Sequence, residues 1–255
     1  MSLSSLDYAL WVACFLSNAA LFAVLIVRNR WREFPVFTTL IGYEAIVSAA
    51  LYLIYSRGSY VWFTRIYWPY ALFDFVLQLW VIWEIAHIVL KPTGTWVQDA
   101  RKQFILWGAA GILLAATLPW LVTPPAATLF HRLEVRGNLF TSLVICELIA
   151  VVTRTSKSLG LGWRSHVMAL GNGWTVWAVV AIMVDGLHSY LGAELYFRQL
   201  EHLRMFAYLA ALSYWMVRFW LEEPARRPIS PELREYILVL HQRIKNDLDT
   251  LNAQR

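Results

Sequence analysis

The chain has 255 residues, of which 59% are hydrophobic and 15% charged, with 14 Trp and a formal net charge of +5. A soluble domain of this size carries about 25% charged residues and an apolar share near 45–50%, so a typical cytosolic enzyme and a disordered chain are both excluded. The apolar residues fall in blocks of about twenty separated by short basic or turn-rich stretches, the pattern of a membrane protein.

A bilayer core requires roughly 20 apolar residues in a helix, at a rise of about 1.5 Å per residue. Seven segments meet that length in chain order, at about 8–27, 36–55, 68–90, 103–122, 134–153, 166–191 and 203–221. Backbone in lipid must be satisfied within a helix or a closed barrel, and these blocks lack the alternation of barrel strands. The expected fold is all-α: a polytopic seven-transmembrane-helix bundle over 1–223, followed by a cytosolic amphipathic helical tail over 224–255.

Basic residues set the expected orientation. Arg28, Arg30 and Arg32 follow the first span, Lys91, Arg101 and Lys102 the third, Arg154, Lys157 and Arg164 the fifth, and Arg218, Arg226 and Arg227 the seventh. The opposite side holds fewer, so the positive-inside rule places the N-terminus outside and the C-terminus inside. Scattered at helix ends, these charges do not form a face for nucleic acid. Asp7 stands where a cleaved signal peptide would carry a basic residue, so the first block is expected to remain as a span. Tyr60, Trp62, Tyr67, Trp68, Trp163, Trp215 and Trp220 cluster at span ends and read as interfacial anchors. Cys14 and Cys146 lie inside spans, which argues against a disulfide framework.

After Pro224 and Pro228, Ser230-Pro231-Glu232 reads as a helix start, with a capping hydroxyl, Pro in the first turn and a carboxylate at the positive end of the dipole. Leu233, Ile237, Leu240, Ile244, Leu248 and Leu251 then recur at near 3–4 spacing. A helix this short needs a surface to pack on, so residues 230–251 are expected to contact a second copy of the chain, a cytosolic partner or the inner membrane surface. Within it, His241-Gln242-Arg243-Ile244-Lys245-Asn246-Asp247-Leu248 resembles the His-box of one class of bacterial histidine kinases, but Gln242 stands at the phosphoacceptor position. The general plan, seven spans and a cytosolic helix, is similar to the membrane-sensor portion of bacterial signalling proteins, which implies the cytoplasmic (inner) membrane of a bacterium as the location. Retinal attachment is excluded, because Lys91, Lys102, Lys157 and Lys245 all lie outside the spans. The Asp-Arg-Tyr and Asn-Pro-x-x-Tyr marks of G-protein-coupled receptors are absent as well.

Ionisable groups within spans cost about 2.5–3.5 kcal/mol each near the bilayer centre, so each calls for a partner or a role. Glu84-x-x-His87 and Asp185-x-x-His188 each have the carboxylate–imidazole spacing of di-iron bundles. The alternating helix directions set the two pairs on opposite sides of the midplane, on the order of 20 Å apart, which excludes one shared metal or haem. No cofactor and no metal is expected. The outer group, Asp74, Asp185, His188, His202 and Arg204, is the candidate ligand-binding or switch site, in a cavity between the third, sixth and seventh helices. Glu44, Glu84, His87 and Glu147 are candidates for a polar pathway across the membrane. No His-Glu-x-x-His, nucleophile elbow or phosphate loop points to an enzyme, and no catalytic residue is assigned. The functional expectation is a sensor or receptor-like protein with output through partners. A proton-coupled carrier or channel, and an assembly subunit of a larger membrane complex, are the alternatives.

Overall fold

The computed structural model describes residues 4–56, 60–90, 98–121, 129–158, 165–191 and 196–222. These form seven α-helices and one 3-10 turn, with no strand among the described residues: α1 Ser5–Val27, α2 Pro35–Ser56, α3 Tyr60–Leu90, α4 Gln98–Leu121, α5 Leu129–Ser158, α6 Ser165–Leu191 and α7 Phe197–Trp220. The amphipathic tail and its His-box-like segment lie outside the described residues.

Five helices are long and apolar enough to cross a membrane, within Ser5–Val27, Pro35–Ile54, Arg65–Val89, Arg136–Arg154 and His166–His188. The seven-span expectation is thus met at five helices. In α4 the apolar stretch narrows to Ile105–Thr117. In α7, Arg198, Glu201, His202 and Arg204 crowd the first two turns. Helices also run past the apolar spans: α3 begins at Tyr60 and passes through Pro69, and α5 begins at Leu129. A span reading registers only the apolar middle of a helix, whereas backbone hydrogen bonding continues into its polar ends.

Six helices close into a ring in the order α1, α2, α3, α5, α6, α7, with α7 returning to α1; α4 packs on the outside of α5. Large apolar side chains such as Leu16, Ile46, Leu72, Leu113, Met183 and Val217 point outward and exposed, while Asn18, Gln78, Glu84, Asp185 and His188 are buried. An apolar exterior around a partly polar interior is the build of a multi-pass membrane protein.

Lipid tails are as apolar as Leu, so burial alone cannot hold such helices together; close packing and interhelical hydrogen bonds do. Trp11 donates to Ser48 Oγ at 2.9 Å, joining α1 to α2, and Tyr208 donates to Asn18 Oδ1 at 3.0 Å, joining α7 to α1. The Trp215 indole lies against Gly173, where any Cβ would collide with the ring, and donates to Ala169 O at 3.1 Å. Trp215 is therefore a buried contact between α6 and α7, which corrects its reading as an interfacial anchor: the missing side chain at Gly173 makes room for it.

The end of the bundle nearest the α1–α2 connection is tied by caps. Asn29, at φ 55°, turns the chain out of α1 into the 3-10 turn Arg30–Arg32. The free N–H groups of Val36 and Phe37, at the start of α2, donate to the Glu84 carboxylate of α3 at 2.9 and 3.1 Å. The Leu221 carbonyl, just past α7, accepts from Arg30 at 3.4 Å and lies 3.1 Å from His166 Nε2. Phe34, Phe37, Trp215 and Phe219 pack edge and face between these caps.

Candidate functional site

A cavity of about 250 Å³ lies within the helix ring, lined from α1, α2, α3, α6 and α7. Its two sides differ in chemistry. On α3, Tyr70, Asp74 and Gln78 are spaced by four residues, which sets them in one stripe toward α2. Tyr70 Oη donates to the Glu44 carboxylate, 3.0 and 3.1 Å from its two oxygens. Gln78 Nε2 donates to Asp74 Oδ2 at 2.6 Å. The Glu44 and Asp74 carboxyl groups themselves meet within hydrogen-bonding reach.

The facing side is aromatic. Trp174 stands edge-on to Trp177 with ring centroids 5.5 Å apart, Trp174 lies 5.5 Å from Trp215, and Trp177 lies 6.4 Å from Tyr208. Tyr208 is held by its bond to Asn18, whose Nδ2 donates in turn to Cys14 O at 3.0 Å. Cys14 and Ser48 complete the lining between the two sides.

Arg204 borders the cavity and is the one cationic side chain among the described lining residues. Its guanidinium is bonded to the buried Asp185 carboxylate and lies 3.7 Å from Glu201. Gln78, Trp177 and Arg204 also border a second, smaller cavity of about 80 Å³, which Asn138, Thr141 and Ser142 of α5 line on its far side.

Of the outer group expected from sequence, the structure joins Asp185 to Arg204 and brings Arg204 and Asp74 to one cavity. The other two members go elsewhere. His202 pairs with Asp7 of α1 at 2.6 Å, an interaction that Arg198 flanks at 4.0 Å. His188 stacks on Phe197 at 4.8 Å and lies 3.8 Å from Glu201. The pathway candidates also separate. Glu44 is in the cavity, Glu84 caps α2, His87 is exposed on α3, and Glu147 lies over Gly111 of α4, where a Cβ would come 2.8 Å from its Oε2. Among the described residues no group of three His, Cys, Asp or Glu side chains is placed to hold a metal ion.

Sequence reasoning missed Tyr70, Trp174, Trp177, Tyr208, Ser48 and Cys14 as lining residues. The four-residue stripe Tyr70-Asp74-Gln78 was a readable signal. The tryptophans were not, because a Trp within a span carries no sign of whether it faces lipid, a neighbouring helix or a cavity.

The fold and this site define a multi-pass helical membrane protein with a polar and aromatic cavity inside its helix ring. No protein family, curated protein or solved structure matches the chain.

Proposed function

We propose that the chain is a receptor-like, seven-span protein of a bacterial cytoplasmic membrane, oriented N-out and C-in, that binds a small ligand within its helix ring. In this reading α4 and α7 cross the membrane with the other five helices. The observation that carries the proposal is the cavity itself: a space of about 250 Å³ bordered by two carboxyl groups, a guanidinium and five aromatic rings from four helices. A ring that packed only for stability would close this space, since voids between packed helices forfeit dispersion contacts.

Ligand access runs from the outer side past Gln78, Trp177 and Arg204, by way of the smaller polar cavity beside α5. Output passes to a partner through residues 230–251, whose sequence repeats apolar residues at near 3–4 spacing and calls for a covering surface. A proton carrier built on Glu44, Glu84 and Glu147 gains less support, because those carboxylates serve a cavity, a helix cap and an α4 contact respectively.

The test is flux together with topology. Purified chain in proteoliposomes is expected to move no protons down an imposed pH gradient, and single cysteines placed near residues 4 and 157 are expected to label from opposite faces. Saturable proton flux abolished by Glu44→Gln would overturn the receptor reading in favour of a carrier.

A further inference from the structure

We infer that the cavity takes a small organic ammonium ion bearing at least one N–H, seated with its charge at Glu44 and Asp74 and its carbon body on the tryptophans. This names the ligand class for the binding site proposed above and rests on that reading.

Charge comes first. Glu44 and Asp74 stand side by side; among the described residues the lining has no Lys or His, and its one guanidinium, Arg204, is already bonded to Asp185 and close to Glu201. Two carboxyl groups in hydrogen-bonding reach share a proton rather than both ionise, and a cation beside them takes the place of that proton. An anion would meet these carboxylates without a spare positive charge to offset them.

Hydrogen bonding gives the second, independent indication. Gln78 is 8% exposed, its Nε2 is spent on Asp74, and its Oε1 is buried without a hydrogen-bond partner among the described residues. An unpartnered buried acceptor is costly, so this oxygen calls for a donor from within the cavity. A primary or secondary ammonium supplies that donor and a positive charge together.

The third is the opposite wall. Trp174, Trp177, Tyr208 and Trp215 form a continuous run of rings facing the carboxyl groups across the cavity. Aromatic faces attract cations through their quadrupole, most strongly where water is excluded, and they also cover the apolar part of an alkyl or aryl amine. Carboxylates on one side and indoles on the other match an amphipathic cation.

Cys14 lines the same cavity and Cys146 does not, which provides a local reporter. Full-length Cys146→Ser protein in lipid nanodiscs is treated with methyl methanethiosulfonate, and the rate of Cys14 modification is followed by mass spectrometry. Protection is measured with phenethylamine and butylamine, against phenethyl alcohol and phenylacetate as uncharged and anionic counterparts. The expected result is that Cys14 reacts and that the amines protect it at concentrations at least about tenfold lower than the alcohol or the acid. That advantage is expected to disappear in Glu44→Gln and Asp74→Asn and to persist in Glu147→Gln. Equal or better protection by phenethyl alcohol or phenylacetate, or no protection by any compound, overturns the ammonium assignment and leaves the cavity open to small molecules. A Cys14 that stays unmodified even at alkaline pH, where thiols ionise, shows a closed interior and removes the ligand-binding reading as well. The comparison of amine, alcohol and acid needs only the Cys146→Ser background, so it stands even if a cavity variant fails to fold.

Discussion

The carboxylate of Glu84, on α3, receives the N–H groups of Val36 and Phe37 in the first turn of α2, at 2.9 and 3.1 Å. A helix N-terminus carries unsatisfied donors and a partial positive charge, and one carboxylate from a neighbouring helix here answers both. A residue that reads as one step in a polar pathway is thereby a cap that fixes where α2 starts against α3.

Glu84→Ala is expected to destabilise the bundle by about 2 kcal/mol, the range for hydrogen bonds to a charged group, and Glu84→Gln by less because an acceptor remains. Thermal unfolding in a mild detergent reads the difference. Identical midpoints for Glu84→Ala and the parent protein would contradict the capping role.

The contact of Trp215 with Gly173 leaves no room for a methyl group on α6. Gly173→Ala is expected to cost about 1–3 kcal/mol, the usual range for overpacking, by pushing the indole off its bond to Ala169 O. Adding Trp215→Phe, which shortens the ring system, should restore part of that loss. If Gly173→Ala alone is neutral, α6 and α7 do not approach this closely.

Arg204, partly exposed on α7, pairs with the buried Asp185 of α6. Arg204→Gln strands the buried Asp185 and is expected to cost about 3–5 kcal/mol, Asp185→Asn costs less because Glu201 still faces Arg204, and the double variant costs clearly less than the sum. Unfolding of all four proteins under matched conditions gives the coupling. Strict additivity would mean that the two groups do not depend on each other.

Tyr208 and Asn18 make a single hydrogen bond between α7 and α1, 3.0 Å long. In membrane bundles such bonds average about 0.6 kcal/mol and reach about 1.7. Tyr208→Phe and Asn18→Leu should therefore show a coupling of that size in a double-mutant cycle. A coupling indistinguishable from zero would place the two side chains apart in the folded protein.

Several features of the bundle were legible in the residues. The blocks near 8–27, 36–55 and 166–191 coincide closely with α1, α2 and α6, because a run of twenty apolar side chains in lipid has a helix as its local solution. The Asp185–Arg204 pairing was within reach, since the few buried charges must find opposite partners. The separation of Glu84 from His87 was not. Three residues turn a helix by about 300°, which places the two near each other on one side without saying which of them looks inward. Packing of α2 against α3 decides that, setting Glu84 on the start of α2 and leaving His87 exposed.

The apolar share of 59%, by itself, determined that the chain folds as long helices and that its few charged residues within them need partners or roles. Which helices stand next to each other was decided only in three dimensions. The placement of α4 outside α5, the meeting of Glu44 with Asp74, and the wall of Trp174 and Trp177 opposite them all depend on how each helix is rotated about its axis. Lipid contributes almost nothing to that rotation, because it solvates every apolar face equally well. The rotation is set instead by small contacts between distant residues, such as Gly173 under Trp215 and Asn18 against Tyr208, whose separations along the chain carry no periodic signal.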